Sequence, residues 1–200
     1  APGFVPSIST IAPAGAEKFF SRLLAVKQSM YQNGRFQLQF SVHTTDQELR
    51  DKIVPVKKWN FTQIAQYAES FYEAGDNKIT LNFAMAKRVP LNANVLASYF
   101  SPNKFLVKIT PINPTYRAVE NELSSYIDAN NDGGEYEVIS SLKSAGYEVI
   151  LSIGELEENK IGSNCGQYVL RHLQADEKVL TGEGCGYDYW SELSQPLQSC

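Results

Sequence analysis

Between residues 36 and 43 apolar and polar positions alternate. Phe36, Leu38, Phe40 and Val42 fall on one face of an extended segment, and Ser41 and His43 fall on the other, at its carboxyl end. The next residues open a helix: Thr45 and Glu48 stand in the relation of a capping box, with Thr45 at the N-cap position. In open and closed α/β sheets alike, ligands are held at the carboxyl ends of the strands. Ser41 and His43 are therefore the first candidates for a site.

The same alternation of patterns runs through the chain. Pro6 to Ile11 reads as a short strand that stops at Ala12-Pro13-Ala14-Gly15. A helix from about Ala16 to Tyr31 follows, with Phe19, Phe20, Leu23, Leu24, Val26 and Met30 at helical spacing and Asn33-Gly34 ending it. After the Phe36 strand and its helix comes a second amphipathic helix carrying Phe61, Ile64, Ala65, Ala68, Phe71 and Tyr72, which is expected to close at Gly75. The third strand is expected from Lys78 to about Ala86 and a short helix from about Ala93 to Phe100. The fourth strand runs from Phe105 to Ile112 and ends at Asn113-Pro114, because proline holds the residue before it in extended geometry. A longer helical region follows, interrupted by the turn-rich stretch Asn130-Asn131-Asp132-Gly133-Gly134. The fifth strand spans Tyr147 to Ile153, followed by an acidic loop and a helix from about Cys165 to Gln174.

Strands alternating with helices imply parallel pairing through right-handed crossovers. About five strands are too few to close a standard eight-stranded barrel. The expected fold class is therefore α/β, a partial (β/α) barrel of about five parallel strands with outer helices. Residues 1–176 would form it, and residues 177–200 are a tail without an assignable pattern.

Composition narrows the classes. The chain has 200 residues and 43% hydrophobic content, enough for one domain with a sizeable core. It begins with Ala-Pro-Gly and has no apolar run long enough for a membrane span or a secretory signal. A cytoplasmic location, no membrane partner and origin as a piece of a longer polypeptide are the expectations. A net charge of −4 gives no general attraction to phosphate backbones. The three cysteines, Cys165, Cys185 and Cys200, form an odd set whose wide spacing matches no zinc or iron-sulfur motif.

Five short motifs, taken in order, resemble a known family. They are Ser7-Ile8-Ser9-Thr10, Phe40-Ser41-Val42-His43, Leu49-Arg50-Asp51-Lys52-Ile53-Val54-Pro55, Ile109-Thr110-Pro111-Ile112-Asn113-Pro114 and Asn164-Cys165-Gly166-Gln167. Their order and spacing resemble the carboxyl-terminal half of the radical S-adenosylmethionine enzymes that methylate adenine in ribosomal and transfer RNA. The resemblance implies that S-adenosylmethionine is the cofactor. It implies that Ser9 contacts it from a strand end, that Ser41, Val42 and His43 hold its sugar and amino-acid portion, and that Asn113 bonds its adenine side. It implies that Cys165 is the catalytic residue that carries a methyl-derived carbon to the base. Short polar side chains suit such a ligand, which presents hydroxyls, an adenine edge and a zwitterion. A thiol at a helix start suits the carrier, because the helix dipole favours the nucleophilic thiolate.

The family's three-cysteine cluster motif does not occur in this sequence, so a four-iron four-sulfur cluster is expected only in a full-length parent and not on this chain. No metal ligand is assigned. RNA is the partner that the resemblance implies, together with a separate amino-terminal half. Where the family has a basic run before the reactive cysteine, this chain has Gly154-Glu155-Leu156-Glu157-Glu158-Asn159-Lys160. Repulsion from phosphate weakens the RNA expectation accordingly. Two other readings stand beside the first. One is a non-catalytic barrel-fragment module that binds a protein partner through its open edge strands. The other is a cysteine hydrolase pairing Cys165 with His43, for which the sequence supplies neither an oxyanion hole nor an orienting third group.

Overall fold

A computed structural model of the chain describes residues 3–111 and 136–152. Five strands, β1 (Ser7–Thr10), β2 (Gln37–Ser41), β3 (Ile79–Met85), β4 (Phe105–Pro111) and β5 (Val149–Leu151), lie in one sheet in the order β1-β2-β3-β4-β5. Every pairing is parallel. Helices α1 (Glu17–Met30), α2 (Gln47–Ile53), α3 (Phe61–Phe71), α4 (Ala93–Tyr99) and α5 (Glu137–Ser144) fill the connections. The α/β class and the parallel pairing expected from the sequence are both present. Among the described residues, no helix is long and apolar enough to cross a membrane.

One strand parity builds the core. Leu38, Phe40 and Val42 of the β2 segment, Leu81 and Phe83 of β3, and Val107 and Ile109 of β4 are buried in a single cluster with Phe20 and Leu23 of α1, Ile64, Ala68 and Phe71 of α3, Leu96 of α4 and Leu142 of α5. The opposite parity carries Ser7, Ser9, Gln37, Gln39, Ser41, Thr80, Asn82, Lys108 and Thr110. The register sets these residues beside one another, pairing Ser9 with Gln39, Gln39 with Thr80, Ser41 with Asn82 and Asn82 with Lys108. A parallel sheet with a polar face departs from the usual pattern of two apolar faces covered by helices.

At the amino ends of the strands, Lys27 on α1 is buried against Glu73 and Asp76 in the α3–β3 connection, with its Nζ 2.8 Å from Glu73 Oε2. Asp76 also accepts the amides of Gly34 (3.3 Å) and Glu73 (2.9 Å), so one carboxylate holds the approach to both β2 and β3.

Three sequence expectations are corrected. The N-cap of α2 is Asp46, whose carboxylate accepts the Leu49 amide at 3.0 Å, and Thr45 is not the cap because its hydroxyl is engaged elsewhere. Helix α3 closes at Tyr72, three residues before Gly75, which takes a left-handed turn. The fifth strand is limited to Val149–Leu151 among the described residues, and Tyr147 is instead buried in the core cluster. The region after Asn113, the stretch Asn130 to Gly134, the acidic loop, the helix at Cys165 and the tail lie outside the described residues, as does the assignment of the domain boundary at 176.

Candidate functional site

The carboxyl ends of β1, β2 and β3 share an unusual way of leaving the sheet. Each is followed within three residues by a non-glycine residue in the left-handed region: Ala12 at φ 55°, His43 at 69° and Arg88 at 67°. Such conformations cost roughly 1–3 kcal/mol and persist where surrounding contacts impose them, often at ligand sites.

Those contacts are explicit at the end of β2. The carbonyl of Asn82 accepts two successive amides, Val42 at 2.9 Å and His43 at 3.3 Å, which breaks the ladder and turns the chain outward. Next, the Pro90 carbonyl takes the Thr44 hydroxyl (2.9 Å), the Thr45 amide (3.1 Å) and the Thr45 hydroxyl (3.2 Å). The Thr45 hydroxyl in turn accepts the Asn92 amide at 2.9 Å. Asn92 caps α4 through the amides of Asn94 and Val95. The β2–α2 and β3–α4 loops are therefore stitched into one rim. A second stitch ties the β1–α1 loop to the segment before α3: the Trp59 amide donates to Ala12 O (2.8 Å) and the Ala14 amide to Lys57 O (2.9 Å).

His43 sits on this rim with its Nδ1 3.4 Å from the Ala84 amide, in the role of acceptor. Burial, and then the nearby Arg50 charge, hold its pKa below the ordinary 6.5, so the ring is neutral at pH 7. Arg50 is itself 2% exposed. Its Nη1 donates to Trp59 O at 2.7 Å and its guanidinium lies 5.4 Å from the Phe61 ring centroid, while Nε and Nη2 have no hydrogen-bond partner among the described residues. With Nδ1 taken by the Ala84 amide, the neutral ring has its Nε2–H left to donate to a ligand.

The structure brings Ser9 and Ser41 to adjacent strands on the polar face and sets His43 two residues beyond the end of β2. Val42 differs: its side chain is buried in the core and its amide donates to Asn82 O. Asn113 and Cys165 lie outside the described residues, and so does any test of a Cys165–His43 pair. Sequence reasoning missed Asn82, Lys108 and Thr110. Asn82 pairs with Ser41 and accepts the Thr110 hydroxyl at 3.3 Å on its side-chain oxygen. Their signal was the spacing of two between Thr80 and Asn82 in β3 and between Lys108 and Thr110 in β4, within otherwise largely apolar runs. Among the described residues, no group of three or more His, Cys, Asp or Glu is placed to hold a metal ion. The described residues do offer hydroxyl, amide and imidazole groups on one rim, a set suited to S-adenosylmethionine.

No family model matches the chain. Curated relatives do. The probable dual-specificity RNA methyltransferase RlmN of Salinispora tropica is 28% identical over 134 residues, 65% of this chain and 34% of that protein. The protein of the same name from Salinispora arenicola is 28% identical over 149 residues, 72% of this chain and 36% of its own length. The chain thus spans about a third of the length of these relatives. A radical SAM methyltransferase from Sphaerobacter thermophilus superposes with a TM-score of 0.55 at 18% identity, covering 80% of this chain and 43% of the other. This structural likeness speaks for the fold, and the curated relatives bear out the resemblance read from the sequence.

Proposed function

We propose that the chain is the cofactor-holding part of a radical S-adenosylmethionine methyltransferase. The observation that carries this reading is the rim of stitched loops that sets Ser41 and a neutral His43 at the carboxyl end of a polar sheet face. The curated relatives, whose names describe an RNA methyltransferase, support the class. When bound alongside an iron-sulfur cluster held by other parts of a full-length protein, S-adenosylmethionine supplies the methyl group and the radical chemistry. This chain's residues bind and orient. Ser9 and Ser41 offer hydroxyls to the cofactor, Val42 its carbonyl and His43 its Nε2–H as a donor, and Asn113 takes the adenine side. Cys165 is assigned as the methyl carrier: its thiolate forms a new carbon–sulfur bond with the methyl group as the sulfonium carbon–sulfur bond breaks, releasing S-adenosylhomocysteine. The acceptor is a nucleic-acid base, and RNA is the partner in this reading.

Titration calorimetry with S-adenosylhomocysteine tests it. The unaltered chain is expected to bind, and Ser41→Ala and Asn113→Ala to weaken binding by roughly 2–12-fold each, the equivalent of one hydrogen bond. Absence of heat with the unaltered chain, or equal affinity in both variants, overturns the assignment.

An open sheet edge favours the second reading. β1 has one strand partner among the described residues, and Ser7 and Ser9 on it are exposed. Unpaired strand edges recruit partners, and a separate amino-terminal half of the barrel is the partner this edge would take. A concentration-independent monomer in sedimentation that recovers no such segment in a pull-down rejects it.

A further inference from the structure

The polar face of the sheet changes character along the strands. At the amino ends it satisfies itself. Gln37 donates from Nε2 to Thr80 Oγ1 (3.0 Å) and Lys78 O (3.1 Å), and Thr80 is buried. Lys78 and Lys104, which precede β3 and β4, are paired with Glu148 and Glu69. Four residues further along β4 this closure ends. Lys108 lies on an internal strand, between Asn82 of β3 and Ile150 of β5, and has no carboxylate partner among the described residues. Lys108 is half-buried there, its stem along the sheet and its ammonium within reach of a ligand.

The neighbours of Lys108 in the same transverse row are Asn82 and, beyond it, Ser41. One row nearer the rim, Thr110 donates its hydroxyl to Asn82 Oδ1, which leaves the Asn82 NH₂ as a free donor. The Ser41 hydroxyl is likewise uncommitted among the described residues. An ammonium, an amide NH₂ and a hydroxyl therefore stand side by side across three adjacent strands. Strand spacing of about 4.8 Å puts two or three of them within reach of one small group. All three can donate, and one is a cation. The complementary ligand is an oxyanion.

We propose that Lys108, Asn82 and Ser41 form a subsite for a single oxyanion, a carboxylate or a phosphate. In its carboxylate form the subsite receives the amino-acid end of S-adenosylmethionine, and to that extent it rests on the function proposed above. In its phosphate form it receives a nucleotide and stands without that function. Lys108 is the charge that discriminates, Asn82 the neutral donor held in orientation by Thr110, and Ser41 the edge of the subsite.

The test compares anionic and neutral members of two ligand pairs by calorimetry: S-adenosylhomocysteine against its carboxamide, and AMP against adenosine. Unaltered protein, Lys108→Met and Lys108→Arg are titrated with each. Methionine keeps the apolar stem, so it separates the charge from a lysine whose stem merely covers the sheet. Circular dichroism confirms that each variant is folded. In one pair, the anionic member is expected to bind the unaltered protein roughly 10–100-fold tighter than the neutral member. Lys108→Met should abolish that preference and Lys108→Arg should retain most of it. If S-adenosylhomocysteine binds and Lys108→Met changes nothing in either pair, the subsite is overturned and the cofactor reading stands. If AMP shows the Lys108-dependent preference and S-adenosylhomocysteine does not bind, the subsite stands and the cofactor reading fails. If neither anion binds, both fall.

Discussion

Replacing Lys27 by methionine is expected to cost about 3 kcal/mol of folding stability, the lower end for removing one partner of a buried ion pair. Lys27 is 1% exposed, and its two partners are unequal: Asp76 is 7% exposed and Glu73 49%. The half-exposed Glu73 contributes at most about 1 kcal/mol, so the cost comes from leaving the Asp76 carboxylate buried without its cation. Two backbone amides, from Gly34 and Glu73, still reach Asp76 and keep the cost from rising higher. Methionine preserves the apolar stem and its place beside the Phe71 ring, which Lys27 Nζ approaches to 5.5 Å. Urea unfolding at pH 7, followed by circular dichroism and by tryptophan fluorescence, measures the change. With a slope of roughly 1–3 kcal/mol per molar urea, the midpoint should fall by roughly 1–3 M. Glu73→Gln should shift it little. The double variant Lys27→Met with Asp76→Asn should be more stable than the sum of the single losses requires, because neither charge is then stranded. A loss below about 1 kcal/mol for Lys27→Met, or simple additivity in the double variant, would refute the reasoning. The pair lies at the amino ends of the strands, so ligand affinity at the opposite rim should be unaffected in the folded protein.

The division between a stabilising end and a ligand-facing end was only half legible in the sequence. The alternation in Phe36 to Val42 is a local property, and it located both β2 and the polar parity of Ser41. The helices followed from spacing for the same reason. What the sequence concealed is tertiary. Thr45 and Glu48 match a capping box, yet the Thr45 hydroxyl is claimed by a carbonyl 45 residues away, and the cap passes to Asp46. The left-handed turn at His43 is imposed by the shared carbonyl of Asn82, and no local signal marks it in a residue other than glycine. Asn82 and Lys108 stood as isolated polar positions within largely apolar strands. Only the register, which lines them up with Ser41, turns three scattered polar residues into one row. Lys27 was hidden in the same way, since a lysine on a predicted helix reads as solvated until its partners arrive from the α3–β3 connection.

The remaining predictions follow from particular groups. Asp46→Ala should cost about 1 kcal/mol in the urea assay as the loss of an N-cap, whereas Glu48→Ala, which would break a Thr45–Glu48 box, should cost little. Lys27 and Asp76 should shape the two ends of the pH–stability curve. Burial works against both charges, but their mutual contact, with Glu73 and the backbone amides, holds the lysine above its usual 10.5 and the Asp76 carboxyl below 3.8. The stability from Lys27 is therefore complete below pH 10.5 and lost as the pH rises through its folded value. That from Asp76 is complete above pH 3.8 and lost as the pH falls through its folded value. Lys27→Met should abolish the alkaline limb. At His43 the sign is that of a depressed base: burial and Arg50 favour the neutral ring, so the stability it contributes is present above pH 6.5 and declines as the pH falls through the folded value. In a histidine NMR titration of the chain's two histidines, His43 should titrate below 6.5 with its proton on Nε2, because Nδ1 accepts from Ala84. Arg50→Met should move that midpoint upward while burial still holds it down. A His43 that titrates at or above 6.5, or that does not respond to Arg50→Met, would remove the neutral imidazole from the rim and with it the Nε2–H donor role assigned to His43.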